Sequence, residues 1–414
     1  MKNTQKFIRL FTGILGSRFD LEEFIEDWEN RRWIYRIKPD ERPRLCSHCG
    51  CEAAGHKRDT IQLRDLPMGC QAQVVKLEVE RWIVDCSNCG LQKEKIPFQS
   101  EFGRITKRLE AYIVDLLTTK MITVKDISRM FQLSYNLVYR IDFEILRKKY
   151  RQRTKPSPKH IAVDEKSFKK GHSYVTIVID VEKPRGKNVI YVSAGRKKES
   201  LDEFFEWLGK SRCERIETMA VDLHKDYHKS VKGHCPKAKI VPDKFHIVKK
   251  LNETMDDVLR EVIFKKTGTL TQGVDKDLKW LLRKHLSNQP DLQMPKLEGL
   301  KEYNEELFGA YILKDYFMSF FAYEPNQLQE AKKFLIHWVT EAYKTGLNAL
   351  KDFAGYIKRH EQILLNVIRT GRTSSVCEGI NNKISVIKRM AYGYQKIEYF
   401  MLKILQRCGC LGTN

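Results

Sequence analysis

Four cysteines in two Cys-x-x-Cys pairs, Cys46/Cys49 and Cys86/Cys89, carry the plainest chemistry in the chain. Each pair puts two thiols on a tight turn, half of the tetrahedral thiolate set that structural zinc takes. Four thiolates leave no open position, so such a zinc would be structural and not catalytic. The 36 residues between the pairs exceed the roughly 15–20 of the commonest spacing. Their content accounts for the excess: Val75, Leu77 and Val79 alternate with Lys76, Glu78 and Glu80, the pattern of a strand delivering the second pair. Cys51 and Cys70 are substitute ligands that lack paired spacing.

The second chemistry is carboxylate. Asp164 ends the apolar run Ile161–Val163, and Asp222 ends Met219–Val221. Glu378 opens a helix on the face opposite Val376, Ile380, Ile384 and Ile387, and shares its polar side with Asn381, Asn382, Ser385 and Lys388 or Arg389. Two ionised carboxylates about 4 Å apart repel by about 4 kcal/mol at an effective dielectric near 20. A converging trio would therefore weaken the fold or protonate one member. Divalent magnesium reverses that sign: it is a hard ion that takes oxygen ligands, and a pair of ions can serve phosphoryl transfer. Asp243 also ends a strand and competes with Asp222. Glu165 follows Asp164 in a strand, so it faces the other side and is read as non-catalytic.

These groups need a scaffold, and the chain divides into stretches that supply one. Residues 1–40 read as an amphipathic lead-in with a strand at Trp33–Ile37, 41–100 as a zinc-binding module, and 105–150 as a helix-turn-helix. In the last, a helix over Ile122–Phe131 turns at Gln132–Ser134 into Tyr135–Ile141, with Leu133 inside the turn and Ser134 as N-cap. Ser134, Tyr135, Asn136, Tyr139 and Arg140 are then placed to face bases and phosphates. Residues 101–160 hold 14 basic and 6 acidic side chains, or +8. A polar joint with Pro156 and Pro158 makes 151–159 a linker. From 160 to 250 the order is three strands, helix, strand, helix, strand, which matches the first part of a ribonuclease-H-like core. Residues 251–370 read as an all-helical insertion, and 371–414 as the rest of the core with one further helix. The fold class expected is thus multidomain, α+β and α/β.

Charge narrows the partner. Lys and Arg number 75 against 53 Asp and Glu, a net +22, which calls for a polyanion. No run of about 18 apolar residues is present, so a bilayer span is excluded. The apolar start to Gly16 is broken by Arg9 and lacks a small-residue cleavage site, unlike a signal peptide. Eleven cysteines then belong in a reducing cytosol. Residues 371–410 carry 7 basic and 2 acidic groups, +5, so Lys388, Arg389, Tyr392 and Tyr394 suit phosphate grip and base stacking.

Five motifs in order carry a family resemblance: Ala162-Val-Asp164-Glu through Gly171-His-Ser-Tyr174, Val221-Asp222 to Tyr227, Val241-Pro-Asp243-Lys-Phe245-His246, Glu378-Gly-Ile-Asn381-Asn382-Lys383, and Lys388-Arg389-Met-Ala-Tyr392-Gly393-Tyr394. Together they resemble the DDE transposases of the ISL3 family of bacterial insertion sequences, over nearly the whole chain. The resemblance implies a catalytic triad of Asp164, Asp222 and Glu378, holding two Mg2+ (or Mn2+) ions with Asp164 shared between them. Its pattern favours Asp222 over Asp243 because Tyr227 follows. Asp243 and His246 become supporting or DNA-facing residues, with helix capping as the alternative.

The implied protein is cytoplasmic and nucleoid-associated. It binds double-stranded DNA, both the terminal inverted repeats and target DNA, and works as a homodimer or higher assembly. It cuts at the element ends and joins them to target. Two alternatives stay open: an inactive zinc and helix-turn-helix DNA-binding regulator, and a ribonuclease-H-like nuclease.

Overall fold

The computed structural model describes residues 19–39, 43–67, 74–119, 122–169, 173–184, 186–223, 225–267, 281–284, 299, 304–371, 375–409 and 411. The apolar start to Gly16, Cys70, residues 170–172 and His224 lie outside them. The chain groups into two units. One runs to Arg153 and includes Arg389–Gly393; the other is Thr154–Lys388 with Tyr394–Cys410.

In the first unit β1 (Phe19–Asp27) and β2 (Arg32–Pro39) form an antiparallel hairpin. With β3 (Ala54–Asp65), β4 (Val74–Cys86) and β5 (Gly90–Lys93) they make one sheet, ordered β1-β2-β4-β3 with β5 paired to β4. β2 is the strand expected at Trp33–Ile37, whereas β1 lies in the stretch read as a lead-in. A bulge between Leu21 and Glu23 breaks its two-residue period, so the alternation that marks a strand is hidden. Val75, Leu77 and Val79 of β4 are buried among Phe19, Tyr35, Ile37, Ile61 and Leu63, as their alternation predicts.

Three helices follow: α1 (Lys107–Thr119), α2 (Val124–Met130) and α3 (Tyr135–Gln152). Buried Asp65 at the end of β3 accepts the Thr106 hydroxyl at 2.6 Å and Arg108 Nε at 2.7 Å, tying α1 to the sheet. α2 starts in a capping box, with the Thr123 hydroxyl accepting the Asp126 N–H and the Asp126 carboxylate accepting the Thr123 N–H.

The second unit centres on β6 (His160–Lys169), β7 (Ser173–Asp180), β8 (Val189–Ala194), β9 (Thr218–Val221) and β10 (Lys239–Pro242). Their order is β10-β9-β6-β7-β8. β6, β7 and β8 pair antiparallel, while β9 and β10 run parallel to β6. α4 (Lys198–Leu208) and α5 (Lys225–His234) cover one face over a core of Ile161, Val163, Val178, Leu201, Phe204, Phe205 and Val231.

α6 (Lys244–Thr267) begins directly after Asp243, so it crosses the boundary expected at residue 250 without a break. It enters a helical block with α7 (Glu305–Met318), α8 (Leu328–Lys344), α9 (Asn348–Arg359) and α10 (Glu361–Thr370). Ile247, Leu251, Phe317, Trp338 and Phe353 form its centre, and Trp338 Nε1 donates to Leu313 O at 2.8 Å.

The chain then forms α11 (Ser375–Met390) and α12 (Ile397–Cys408), two helices where one was expected after Gly371. The break is at Tyr392 and Gly393, whose φ values of 51° and 97° cannot continue a right-handed helix. α12 packs its buried Phe400, Leu402, Ile404 and Leu405 inward, and Gly409 bridges to Val189 of β8.

Candidate functional site

The four paired cysteines converge. Their sulfurs lie within 4.8 Å of one another, the one such group of metal-capable side chains among the described residues. Cys49 Sγ and Cys86 Sγ are 3.5 Å apart, near the roughly 3.8 Å edge of a tetrahedron with zinc–sulfur bonds of about 2.3 Å. Gly50 and Gly90 follow the two pairs at φ 77° and 69°, the left-handed conformation that closes each turn and that glycine alone adopts freely. The His48 N–H donates to Cys46 Sγ at 3.4 Å. Hydrogen bonding at the Cys49 backbone, ahead of the opposing effect of burial, lowers the Cys46 thiol, while its bond to Cys49 and burial raise the Cys89 thiol. The donor set therefore fits zinc. Cys51 is exposed and outside the cluster.

In the helical segment the turn between α2 and α3 has Gln132 at φ 49° and buried Leu133. Ser134 Oγ accepts the Leu137 N–H at 3.3 Å, so it caps α3. Ser134→Ala should cost about 1 kcal/mol of stability, read from denaturant unfolding of the full chain. Ser134, Tyr135, Asn136 and Arg140 are exposed. Arg140 also donates to Phe102 O. Tyr139 differs: its ring stacks between Tyr135 and Phe143, at 6.2 and 5.6 Å, and its hydroxyl is inaccessible.

The acidic residues meet at the sheet. β6 and β9 pair Ala162 with Ala220, and extending that register sets Asp164 beside Asp222. β9 and β10 pair Val221 with Pro242, which sets Asp222 beside Asp243. Asp164 in mid-β6, and Asp222 and Asp243 one residue past β9 and β10, thus form a row across neighbouring parallel strands, and all three charges act on His246. Burial above all raises the Asp164 carboxyl, and the Asp243 charge adds to this. The Glu165 N–H (2.7 Å), His246 and Asn381 oppose it. Asp243 is buried; its carboxylate accepts the Phe245 N–H at 2.9 Å and contacts His246 Nδ1 at 3.1 Å, so it caps α6. That bond, with the Asp222, Asp243 and Asp164 charges, lifts the His246 imidazole above its ordinary value against the effect of burial.

Glu378 lies exposed in the first turn of α11. One turn later the Asn381 amide donates to Asp164 Oδ2, fixing this end of the helix to β6. Glu378 and Asn381 share a face at i, i+3. Asp164, Asp222 and Glu378 are not drawn together as closely as the cysteines. Ionised carboxylates repel, and Asp164 is held partly by the Asn381 amide.

Other residues expected to face DNA divide. Asn382 and Arg389 are exposed, and Tyr392 is 94% exposed. Lys388 Nζ donates to Ser167 O at 3.0 Å. Tyr394 packs on Tyr399 and Phe400 at 5.6 and 5.1 Å. A buried link not anticipated from sequence joins Tyr227 to Glu165. Its only sequence signal is that Tyr227 closes the motif that begins at Val221.

The ISL3 transposase domain matches residues 161–404, and the helix-turn-helix domain of transposase family ISL3 matches 94–142. The chain is 32% identical over 408 residues to the transposase for insertion sequence element IS1001 of Bordetella parapertussis, covering 97% of each chain. It belongs to the ISL3 family of insertion-sequence transposases. A second relative, the transposase for insertion sequence element IS1557 of Mycobacterium tuberculosis, is 24% identical over 420 residues, or 94% of this chain and 92% of the relative. The Drosophila P element transposase strand transfer complex aligns at TM-score 0.36 and 11% identity, over 72% of this chain and 92% of that one. No helix among the described residues of this family member is long and apolar enough to cross a membrane.

Proposed function

We propose that this transposase binds the terminal inverted repeats of its element and uses Asp164, Asp222 and Glu378 to cut DNA strands there and join the 3′ ends to target DNA. The alignment of Asp164 with Asp222 on adjacent parallel strands carries the reading. The Asn381 bond, which brings the Glu378 turn to the same edge, supports it. The strand order, three antiparallel then two parallel, supports a ribonuclease-H-like core, with 251–370 as its insertion and 371–414 as its return. Residues 41–100 would be the zinc module, 105–150 the helix-turn-helix, and 151–159 the linker.

Magnesium fits the residues present. Asp164, Asp222 and Glu378 are hard oxygen donors. The Asn381 Oδ1 atom is buried with no hydrogen-bond partner among the described residues, an orphan that a cation would satisfy. When bound, two such ions would activate the attacking oxygen and stabilise the leaving one. Asp164, Asp222 and Glu378 would hold them. Asn381 orients the Asp164 carboxylate, while Asp243 and His246 fix the start of α6 beside it. Zinc would hold the cysteine turns, and two DNA ends call for at least a homodimer.

A nicking assay on duplex carrying the element ends tests the reading. Nicks with Mg2+ or Mn2+ and none with chelator are expected. Absence of metal-dependent nicking would favour a DNA-binding regulator, and cutting of RNA hybrids in preference to duplex would favour a nuclease.

Tyr392 gives a second expectation. A bulky residue at positive φ is a strained outlier, and here the strain presents a ring to solvent. Tyr392→Ala should weaken DNA binding by about 1–3 kcal/mol, roughly 5- to 150-fold, if the ring stacks on a base. Gel shift with end-bearing duplex measures it.

A further inference from the structure

Glu165 sits on the sheet face opposite Asp164, and its surroundings are unusual for a carboxylate. Tyr227, 2% exposed, donates its hydroxyl to Glu165 Oε1 at 2.7 Å. The Thr176 hydroxyl lies 3.2 Å from the Tyr227 oxygen and 2.9 Å from Gly195 O, with one proton to give to either. One polar chain thus joins α5, β6, β7 and the residue after β8. Glu165 is also tied to the acid row, since its own N–H is the donor to Asp164 Oδ1 at 2.7 Å. Tyr227 stands five residues beyond Asp222 at the start of α5.

Keeping a carboxylate here is costly. The side chain is half-buried, so its carboxylate loses part of its hydration, which the Tyr227 hydroxyl makes good in part. A core serving stability alone would do as well with an apolar pair, because replacing both partners of a buried hydrogen bond by apolar groups is nearly neutral.

We infer that Tyr227 and Glu165 are positioning residues: their hydrogen bond clamps the start of α5 to β6 and so sets the separation of Asp222 from Asp164. The inference rests on those two aspartates working together as proposed above. Neither Tyr227 nor Glu165 touches DNA or metal in this role. The bond sets a distance on the far face of the sheet.

The test uses full-length protein and end-bearing duplex. Tyr227→Phe should lower the cleavage rate at saturating DNA about 10-fold or more with KM for DNA unchanged, the mark of an interaction felt after binding. It should also raise the Mn2+ concentration needed for half-saturation, read directly from the electron paramagnetic resonance signal of free Mn2+. Glu165→Gln, which still accepts the phenol proton, should retain most of the rate. The double variant Tyr227→Phe/Glu165→Met should regain the melting temperature of the parent without regaining rate or Mn2+ affinity. Recovery of all three in the double variant would overturn the inference, as would an unchanged rate and Mn2+ affinity in Tyr227→Phe. Asp164→Ala run in parallel separates the two levels. If it cleaves normally, the triad reading fails; if it is inactive while Tyr227→Phe is unaffected, only the clamp fails.

Discussion

Asp164→Ala is expected to lower strand cleavage at the element ends at least about 1000-fold, about 4 kcal/mol of barrier at 1.36 kcal/mol per decade. DNA-end binding should stay as it was. Asp164 is the most heavily tethered of the acids: it lies on β6, two residues beyond the Ala162–Ala220 pairing with β9, and it receives the Asn381 amide and the Glu165 N–H. Removing it takes away one of the three carboxylates proposed to hold the metal. The fold should survive, because its carboxyl is disfavoured by burial and by the Asp243 charge, and deletion relieves both. Asp164→Asn keeps the shape and makes the sharper control. Nicking gels with Mg2+ and gel shifts on the same duplex read the two activities. Normal nicking by either variant would remove Asp164 from the chemistry.

Cys86→Ser should be nearly as severe, at a different level. Cys86 is buried at the end of β4, packed with Cys46, Val84 and Trp82. This small cluster is separate from the main sheet core, and beside the proposed metal the turns are held by backbone bonds such as Cys46 N–H to Cys51 O at 2.8 Å and Ser47 N–H to Lys93 O at 3.0 Å. Structural zinc in finger peptides contributes about 10–16 kcal/mol, comparable with the total stability of a domain at about 5–15 kcal/mol. Loss of even about 4 kcal/mol lowers a melting temperature by roughly 10 °C in a unit of this size. Calorimetry should show the N-terminal transition dropping by at least that much, with zinc content falling to zero by elemental analysis and end binding lost. Cys51→Ser, exposed and outside the cluster, should change none of these. Zinc-free wild-type protein with unaltered melting would sink the assignment.

The cysteine turns could be read from sequence because their chemistry is local: two thiols, a fixed spacing and a following glycine. The strands of the second unit were legible for a similar reason, each being a short apolar run ending in a polar residue. β1 was not, because its bulge breaks the period. α12 was missed because the left-handed pair Tyr392–Gly393 looks like a loop within a helix pattern. Side-chain partners were the least accessible. Asn381 lies on the polar side of α11 with Glu378, which sequence shows, but its bond to Asp164 spans 217 residues. Lys388 and Tyr394 are a cation and an aromatic in a basic stretch. Their contacts with Ser167 and Phe400 depend on how α11 and α12 pack, which composition does not encode. The Tyr227–Glu165 bond is of the same kind, formed across strands by residues 62 apart.

The helical block between β10 and α11 has a temporal consequence. Glu378 follows Asp164 by 214 residues, and at about 5–20 residues per second that is roughly 10–40 s of ribosomal synthesis. The unit that runs to Arg153 leaves the ribosome well before the last acid does. On the proposed reading, a nascent chain would meet DNA through that unit before Glu378 completes the proposed triad.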